Sequence, residues 1–372
     1  MPKYSTESIR AVALVGHTGA GKTMLAEALL AKAGAIASAG SVEKGNTVCD
    51  FDPLEKAYKH SLNSAIVNFA WKGVHVHLID TPGSPDFMGQ AIGALAAVDT
   101  AVIVVNAETG IQLATDRMLK WAAKRNLCRM IVVNRIDAEN ADLPAMLAKI
   151  RQAVGKECLP INLPAKGGTD VVDCFFNPDG EADFSSVKEA HAALVDQVVE
   201  VDEALMAKYL EQGEVSPEQL HAPFEKALRE GHLIPVCFAS AKNGAGVAAL
   251  LDVFADLAPN ATEGNPPPFL KGEGAEAQEF WSVPGPRAHV LAHVFKVIVD
   301  PFVGKVGVFR VHQGTVTPNS QLFVGDARRA FKVGHLFTVQ GKDHVETDSL
   351  VPGNIGAVTK VEEIEFDAVL HD

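Results

Sequence analysis

An apolar run at residues 11–15 passes without a break into Gly16-His17-Thr18-Gly19-Ala20-Gly21-Lys22-Thr23, and a helical pattern follows over residues 22–32. This is G-x-x-x-x-G-K-[ST] set between a strand and a helix, and few local patterns restrict a fold so tightly. Glycines let backbone N–H groups curl around phosphate oxygens with no Cβ in the way, and the helix N-terminus favours the negative charge. Lys22 is expected to bridge two phosphates, and the Thr23 hydroxyl to ligate Mg²⁺.

The same alternation of strand and helix continues along the chain. Strands are expected at residues 65–71, 74–79, 101–105, 130–133 and 233–238, and helices at 88–97, 113–125, 143–154 and 247–257. That pattern predicts an α/β domain, a mostly parallel sheet with helices on both faces. Lys72-Gly73 reads as a tight hairpin turn, which makes one strand pair antiparallel. Between residues 158 and 232 the texture changes to loops, a short β piece at 171–176 and charged helices at 186–212 and 216–230. The strand pattern resumes at Leu233, so 158–232 reads as an α+β insert into a domain made of 1–157 and 233–260. Residues 261–288, rich in Gly and Pro, read as a linker. From 289 to 372 short alternating runs separated by turn residues predict an antiparallel β-barrel.

Composition narrows the setting. No stretch approaches the roughly 18 apolar residues of a membrane span, and the N-terminus lacks a signal-peptide pattern, so a cytoplasmic protein is expected. The formal net charge is −13, which repels nucleic acid at long range and argues against direct sequence-specific binding to it. The five cysteines form no CxxC pair and read as buried, inert thiols in a reducing compartment. A monomer is expected.

Two further motifs bear on the ligand. Asn134-Arg135-Ile136-Asp137 ends a strong β run at the sheet's carboxyl edge, where ligands sit in open α/β folds. The Asp137 carboxylate can accept hydrogen bonds from guanine N1–H and the 2-amino group, which adenine does not offer. Asn134 can bond the base and the phosphate loop, while the stem of Arg135 covers the base. Ser240-Ala241 follows the last strand and adds a backbone N–H suited to guanine O6. Asp80-Thr81-Pro82-Gly83 closes the third strand; Asp80 can hold a Mg²⁺-bound water and the Gly83 N–H can reach a γ-phosphate. A phosphate-loop kinase would carry the same loop but would prefer ATP, against Asn134 and Asp137.

In this order the motifs resemble those of translational GTPases, and elongation factor G most closely, over essentially the whole chain. His293-Val294-Phe295-Lys296, Asp300-Pro301-Phe302-Val303-Gly304-Lys305 and Phe309-Arg310-Val311 resemble the opening of that family's barrel. The resemblance implies GTP or GDP with Mg²⁺ as ligands and the ribosome as partner. The acidic insert, with Glu200, Asp202, Glu203, Glu211, Glu214 and Glu218, reads either as a solvated helical face or as a protein contact, which it suits better than RNA. The chain stops at Asp372, where the barrel should end, and so reads as the front half of a longer protein.

Three departures stand out. The family carries a His after D-T-P-G that positions the attacking water; Ser84 stands there instead, followed by Pro85. The switch threonine that binds Mg²⁺ corresponds to Ser61, within Tyr58-Lys59-His60-Ser61. Gly19 replaces a common Asp. Phosphoryl transfer in such enzymes is mostly positioning and electrostatics, so slow or altered hydrolysis is expected. A regulatory switch with negligible hydrolysis is the alternative. His60 could take the place of the absent imidazole, or could simply face solvent. His17 is expected to pack against the loop.

Overall fold

The computed structural model describes residues 4–213, 215–272, 277–300 and 304–372. Glu214 and Pro301-Phe302-Val303, quoted above, lie outside the described residues.

The first half builds around six strands, β1 (Ile9–Val15), β2 (Ala65–Trp71), β3 (Val74–Asp80), β4 (Thr100–Asn106), β5 (Cys128–Asn134) and β6 (Cys158–Pro160). A hairpin follows, β7 (Asn162–Ala165) and β8 (Asp170–Asp173), before β9 (Ile234–Ala239) returns to the same sheet. The sheet order is β2-β3-β1-β4-β5-β9-β6, and every neighbouring pair except β2–β3 is parallel. β1, β4 and β9 are buried along their whole length, which matches their unbroken apolar sequences and their cover by helices on both faces. Lys72-Gly73 makes the expected tight turn, with both residues at positive φ. β6 is not legible as a strand in the sequence, since three residues ending in Pro160 give no periodicity.

Parallel pairing fixes where the loops go. Leu14 lies beside Asp80, Asn106 beside Asn134, and Asn134 beside Ala239. The phosphate loop, the Asp80 turn, the Asn134 loop and the Ser240 loop therefore leave the sheet at one edge.

Five helices belong to this region: α1 (Lys22–Lys32), α2 (Pro53–Tyr58), α3 (Met88–Leu95), α4 (Leu113–Lys124) and α5 (Leu143–Ala153). α2 is too short to show a helical period, although Asp52-Pro53-Leu54-Glu55 carries a complete start signal. The Asp52 side chain accepts from Leu54 N, and Glu55 accepts from Asp52 N in return. The long helix expected at 186–212 is two helices, α6 (Val187–Val199) and α7 (Glu203–Gln212). Asp202 accepts from Leu205 N at 2.9 Å and starts the second helix anew. α8 (Pro217–Glu230) and α9 (Val247–Asp256) complete the set. No helix among the described residues is long and apolar enough to cross a membrane. All five cysteines are buried and unpaired.

The stretch read as a linker carries a two-stranded antiparallel ribbon, β10 (Pro268–Lys271) and β11 (Gln278–Trp281). Eight antiparallel strands then curl into a half-barrel: β12 (Leu291–Asp300), β13 (Gly304–Gln313), β14 (Gln321–Val324), β15 (Phe331–Lys332), β16 (Leu336–Gln340), β17 (Asp343–Glu346), β18 (Ile355–Thr359) and β19 (Val369–His371). Its own apolar core contains Val294, Phe309, Val311, Leu322 and Leu370.

The half-barrel docks on the α/β sheet through polar contacts as well as packing. Arg310, buried on β13, donates to both carboxylate oxygens of buried Asp99 at 2.7 and 2.8 Å and to Ala97 O at 2.9 Å, just past α3. His77 Nε2 on β3 accepts from Asn354 Nδ2 at 3.1 Å and Ile355 N at 3.3 Å, which leaves Nδ1 as the protonated nitrogen. Gly341 N donates to Ile66 O, and Asn68 N to Gln340 Oε1, so the half-barrel covers the free edge of β2.

Removing one partner of a buried pair strands the other charge. Asp99→Ala is therefore expected to lower unfolding stability by about 3–5 kcal/mol in urea titrations; a change below about 1 kcal/mol, the scale of surface pairs, would show that the Arg310 contact does not hold the two sheets together.

Candidate functional site

The four loops at the sheet edge enclose a cleft of about 1040 Å³. Gly19, Gly21, Lys22, Thr23, Asp50, His60, Ser61, Gly83, Asn134, Arg135, Asp137 and Ala241 are on its walls. Positive φ at Gly16, Gly19 and Gly21 gives the loop its curl. Gly21 leaves no room for a Cβ, which would strike the Asn134 amide.

Lys22 Nζ donates to Gly16 O at 3.0 Å and His17 O at 2.9 Å, held inside its own loop. Burial in the cleft lowers its pKa, and burial together with the neighbouring Asp50 raises that of Asp80. Both shifts are those of charges taken out of water without full compensation. Thr23 Oγ1 donates to Asp80 Oδ2 at 2.7 Å and lies 3.2 Å from Ser61 Oγ. Asp80 Oδ1 and Asp50 Oδ2 are buried with no partner in the chain. Hydroxyls of Thr23 and Ser61 beside two under-partnered carboxylates form an all-oxygen set, the type that Mg²⁺ takes. Among the described residues no group of three His, Cys, Asp or Glu forms a metal site by itself. The ion would complete its shell with phosphate oxygens and water. Asp50 escapes sequence reasoning because a single acid in a loop carries no periodic or motif signal.

The Asp80–Gly83 turn presses directly on the phosphate loop. Thr81 Oγ1 donates to Leu14 O at 2.7 Å. A Cβ on Gly83 would collide with Thr18 N, the His17 carbonyl carbon and Lys22 Nζ. Ser84 follows at the start of a 3-10 turn over Pro85–Phe87, makes no side-chain cap there, and is not on the cleft wall. His60 is on the wall; its Nδ1 lies 3.3 Å from Tyr58 O and its ring 6.4 Å from that of Phe87. His17 is buried, with Nδ1 3.1 Å from Thr115 Oγ1 and Nε2 3.2 Å from Thr109 Oγ1. Both ring nitrogens are engaged away from the cleft chemistry, so it acts as packing.

At the other end, Asn134 ties three loops together. Its Nδ2 donates to Ala20 O at 3.0 Å, and its Oδ1 accepts from Arg135 N at 2.9 Å and Ala241 N at 3.1 Å. Of the Ser240-Ala241 pair, expected to offer a backbone N–H to guanine O6, the Ala241 N–H here donates to Asn134. Arg135 adopts φ 65°, which turns the chain so that Ile136 is buried and Asp137 faces the cleft. Asp137 Oδ1 accepts from Ser240 Oγ at 2.6 Å, which fixes the carboxylate's orientation. The β7–β8 turn supports this corner: Asn243 Nδ2 donates to Gly168 O within it, and a Cβ on Gly168 would meet Ile136 O.

The pattern described as elongation factor Tu GTP binding domain matches residues 7–260, and that of elongation factor G domain 2 matches residues 289–370. The chain belongs to the elongation factor G-like translational GTPases. It is 29% identical over 370 residues to an elongation factor G-like protein of Thermotoga maritima and 30% identical over 393 residues to one of Mycobacterium tuberculosis. These alignments cover 96% and 98% of this chain but 53% and 55% of the relatives, so the chain spans about half their length. A crystal structure from Thermus thermophilus superposes with a TM-score of 0.85 at 34% identity, covering 98% of this chain and 54% of that one.

Because Gly83 sits against the phosphate loop, Gly83→Ala is expected to weaken GTP binding at least tenfold, measured with a fluorescent nucleotide, while circular dichroism stays native. Unchanged affinity would show that this contact is dispensable.

Proposed function

We propose that this translational GTPase chain binds Mg²⁺-GTP in the edge cleft and hydrolyses it slowly, as the nucleotide switch of a ribosome-associated factor. The observation that carries the reading is the convergence of Lys22, Thr23, Asn134 and Asp137 on the cleft walls from separate loops, with buried Asp80 accepting from Thr23. Gly16–Lys22 would cradle the phosphates through backbone N–H groups, with Lys22 leaving its loop carbonyls for phosphate oxygens. Thr23 and Ser61 would ligate Mg²⁺, with Asp80 acting on its bound water. The ion would neutralise charge developing on the phosphate oxygens. Asp137, oriented by Ser240, would select guanine.

Slow hydrolysis is the reading supported by Ser84 standing where the family carries a histidine. Ser84 lies off the cleft wall, and its short hydroxyl lacks the reach and charge of an imidazole. His60, on the cleft wall one residue before Ser61, is the candidate for orienting water there. The names of the relatives support an elongation-factor role. The position of Ser84 off the wall also favours a second reading, a binding switch with negligible hydrolysis.

Single-turnover GTP hydrolysis with and without ribosomes separates the two. The first reading expects ribosome-stimulated turnover that falls at least tenfold in His60→Ala; a rate equal to buffer background would favour the second. Charge-assisted hydrogen bonds are worth about 1.5–3 kcal/mol each. Asp137→Ala, which would remove two of them, is expected to weaken GTP binding by on the order of a hundredfold or more and to erase the preference over ATP. Retained preference would refute the base assignment.

A further inference from the structure

The strap between the cleft and β2 is held at both ends by groups the nucleotide reading does not use. Residues 61–64 run from Ser61, beside Thr23, to Ser64, just before β2. Glu55 Oε1 accepts from Leu62 N at 3.0 Å and Asn63 N at 2.9 Å, and its Oε2 accepts from Asp52 N. Its carboxyl is buried, and burial raises its pKa against the opposing pull of these N–H groups. Ser64 Oγ donates to Gln90 O in α3, the helix that follows the Asp80–Gly83 turn.

The fourth anchor comes from the half-barrel. Lys296, on β12, donates its ammonium to Ser64 O. The residue is half-buried, yet its ammonium is desolvated enough to pull its pKa down to about 8, with the Glu55 carboxylate acting the other way. A charged amine taken from water is costly unless it makes specific contacts. Here those contacts are a backbone carbonyl of the strap and the field of the acid that clamps the same strap. Phe295, its neighbour on β12, has its carbonyl against Gly93 of α3. The half-barrel thus touches the strap and α3 at adjoining points.

We propose that Lys296 is a positioning residue through which the half-barrel sets Ser61 for the triphosphate, so that docking of the half-barrel favours GTP over GDP. The proposal rests on the reading of Ser61 as a Mg²⁺ ligand near the γ-phosphate. Only Leu62 and Asn63 lie between Ser61 and Ser64, whose carbonyl is anchored, and extended chain reaches only about 3.3–3.6 Å per residue. A fixed Ser64 therefore confines where Ser61 can go. With the strap held, GTP meets a prepared ligand; without it, GTP must order the strap, whereas GDP, lacking the γ-phosphate, is indifferent.

The test is the ratio of GTP to GDP affinity in Mg²⁺ buffer, measured with the whole chain. Lys296→Met keeps the stem and removes the charge; the ratio is expected to fall about tenfold with GDP affinity within twofold of wild type. Glu55→Gln is expected to shift the ratio the same way. Lys305→Met provides the control: Lys305 Nζ caps Glu362 O within the half-barrel, away from the strap, and its loss is expected to leave the ratio unchanged. An unchanged ratio in Lys296→Met, or equal losses for both nucleotides, would overturn the proposal while leaving GTP binding intact. Hydrogen exchange on the wild-type chain needs no variant. GTP, compared with GDP, is expected to slow amides at both 61–64 and 295–297; protection confined to 61–64 would overturn the coupling. Failure of the wild-type chain to bind GTP at all would overturn both this inference and the function it rests on.

Discussion

Parallel pairing of β3, β1, β4, β5 and β9 is the constraint on which the rest depends. In a parallel sheet the strands all point one way, so the loops that follow β1, β3, β5 and β9 emerge together. The register then places Asp80 beside the end of β1 and Ala239 beside Asn134. Asn134 and Ala239, 105 positions apart in sequence, meet without any special arrangement. One slip in register would carry Asp80 away from Thr23 and leave that hydroxyl without its carboxylate partner.

The same edge is a place where charges are held out of water. Lys22 and Asp50 are buried at the cleft wall and Asp80 against Thr23, and their pKa values move toward the neutral forms because burial outweighs what their neighbours in the chain return. A fold of this size tolerates such a cluster because the surrounding sheet is rigid and apolar, with β1, β4 and β9 wholly buried. The arrangement has the character of a site prepared for a polyanion and a divalent cation: stability is given up where a ligand would restore it. The buried Arg310–Asp99 pair does structural work instead: Arg310 Nη2 donates to both Asp99 oxygens and Nη1 to Ala97 O, which ties the two sheets together.

Much of this is legible in the sequence. The phosphate loop, the Asp80 turn, Asn134–Asp137 and the half-barrel all announce themselves through spacing or periodicity, since each is local. What escapes is non-local or too short. β6 has three residues and no pattern, and joins the sheet only because β9 offers an edge. The break between α6 and α7 lies in Asp202, a cap residue hidden in a charged run. Asp50 and Glu55 matter through partners brought to them by the fold, and no window of sequence displays those partners. The Ala241 N–H illustrates the reverse: its motif is visible, yet in this structure it donates to Asn134.

The account stands on guanine recognition in the edge cleft. Isothermal titration of the folded chain with GTP and with ATP, in the same Mg²⁺ buffer, tests it most directly. One GTP site per chain, with ATP giving no saturable heat, is the predicted result. Equal binding of both nucleotides, or no binding of GTP, would contradict it.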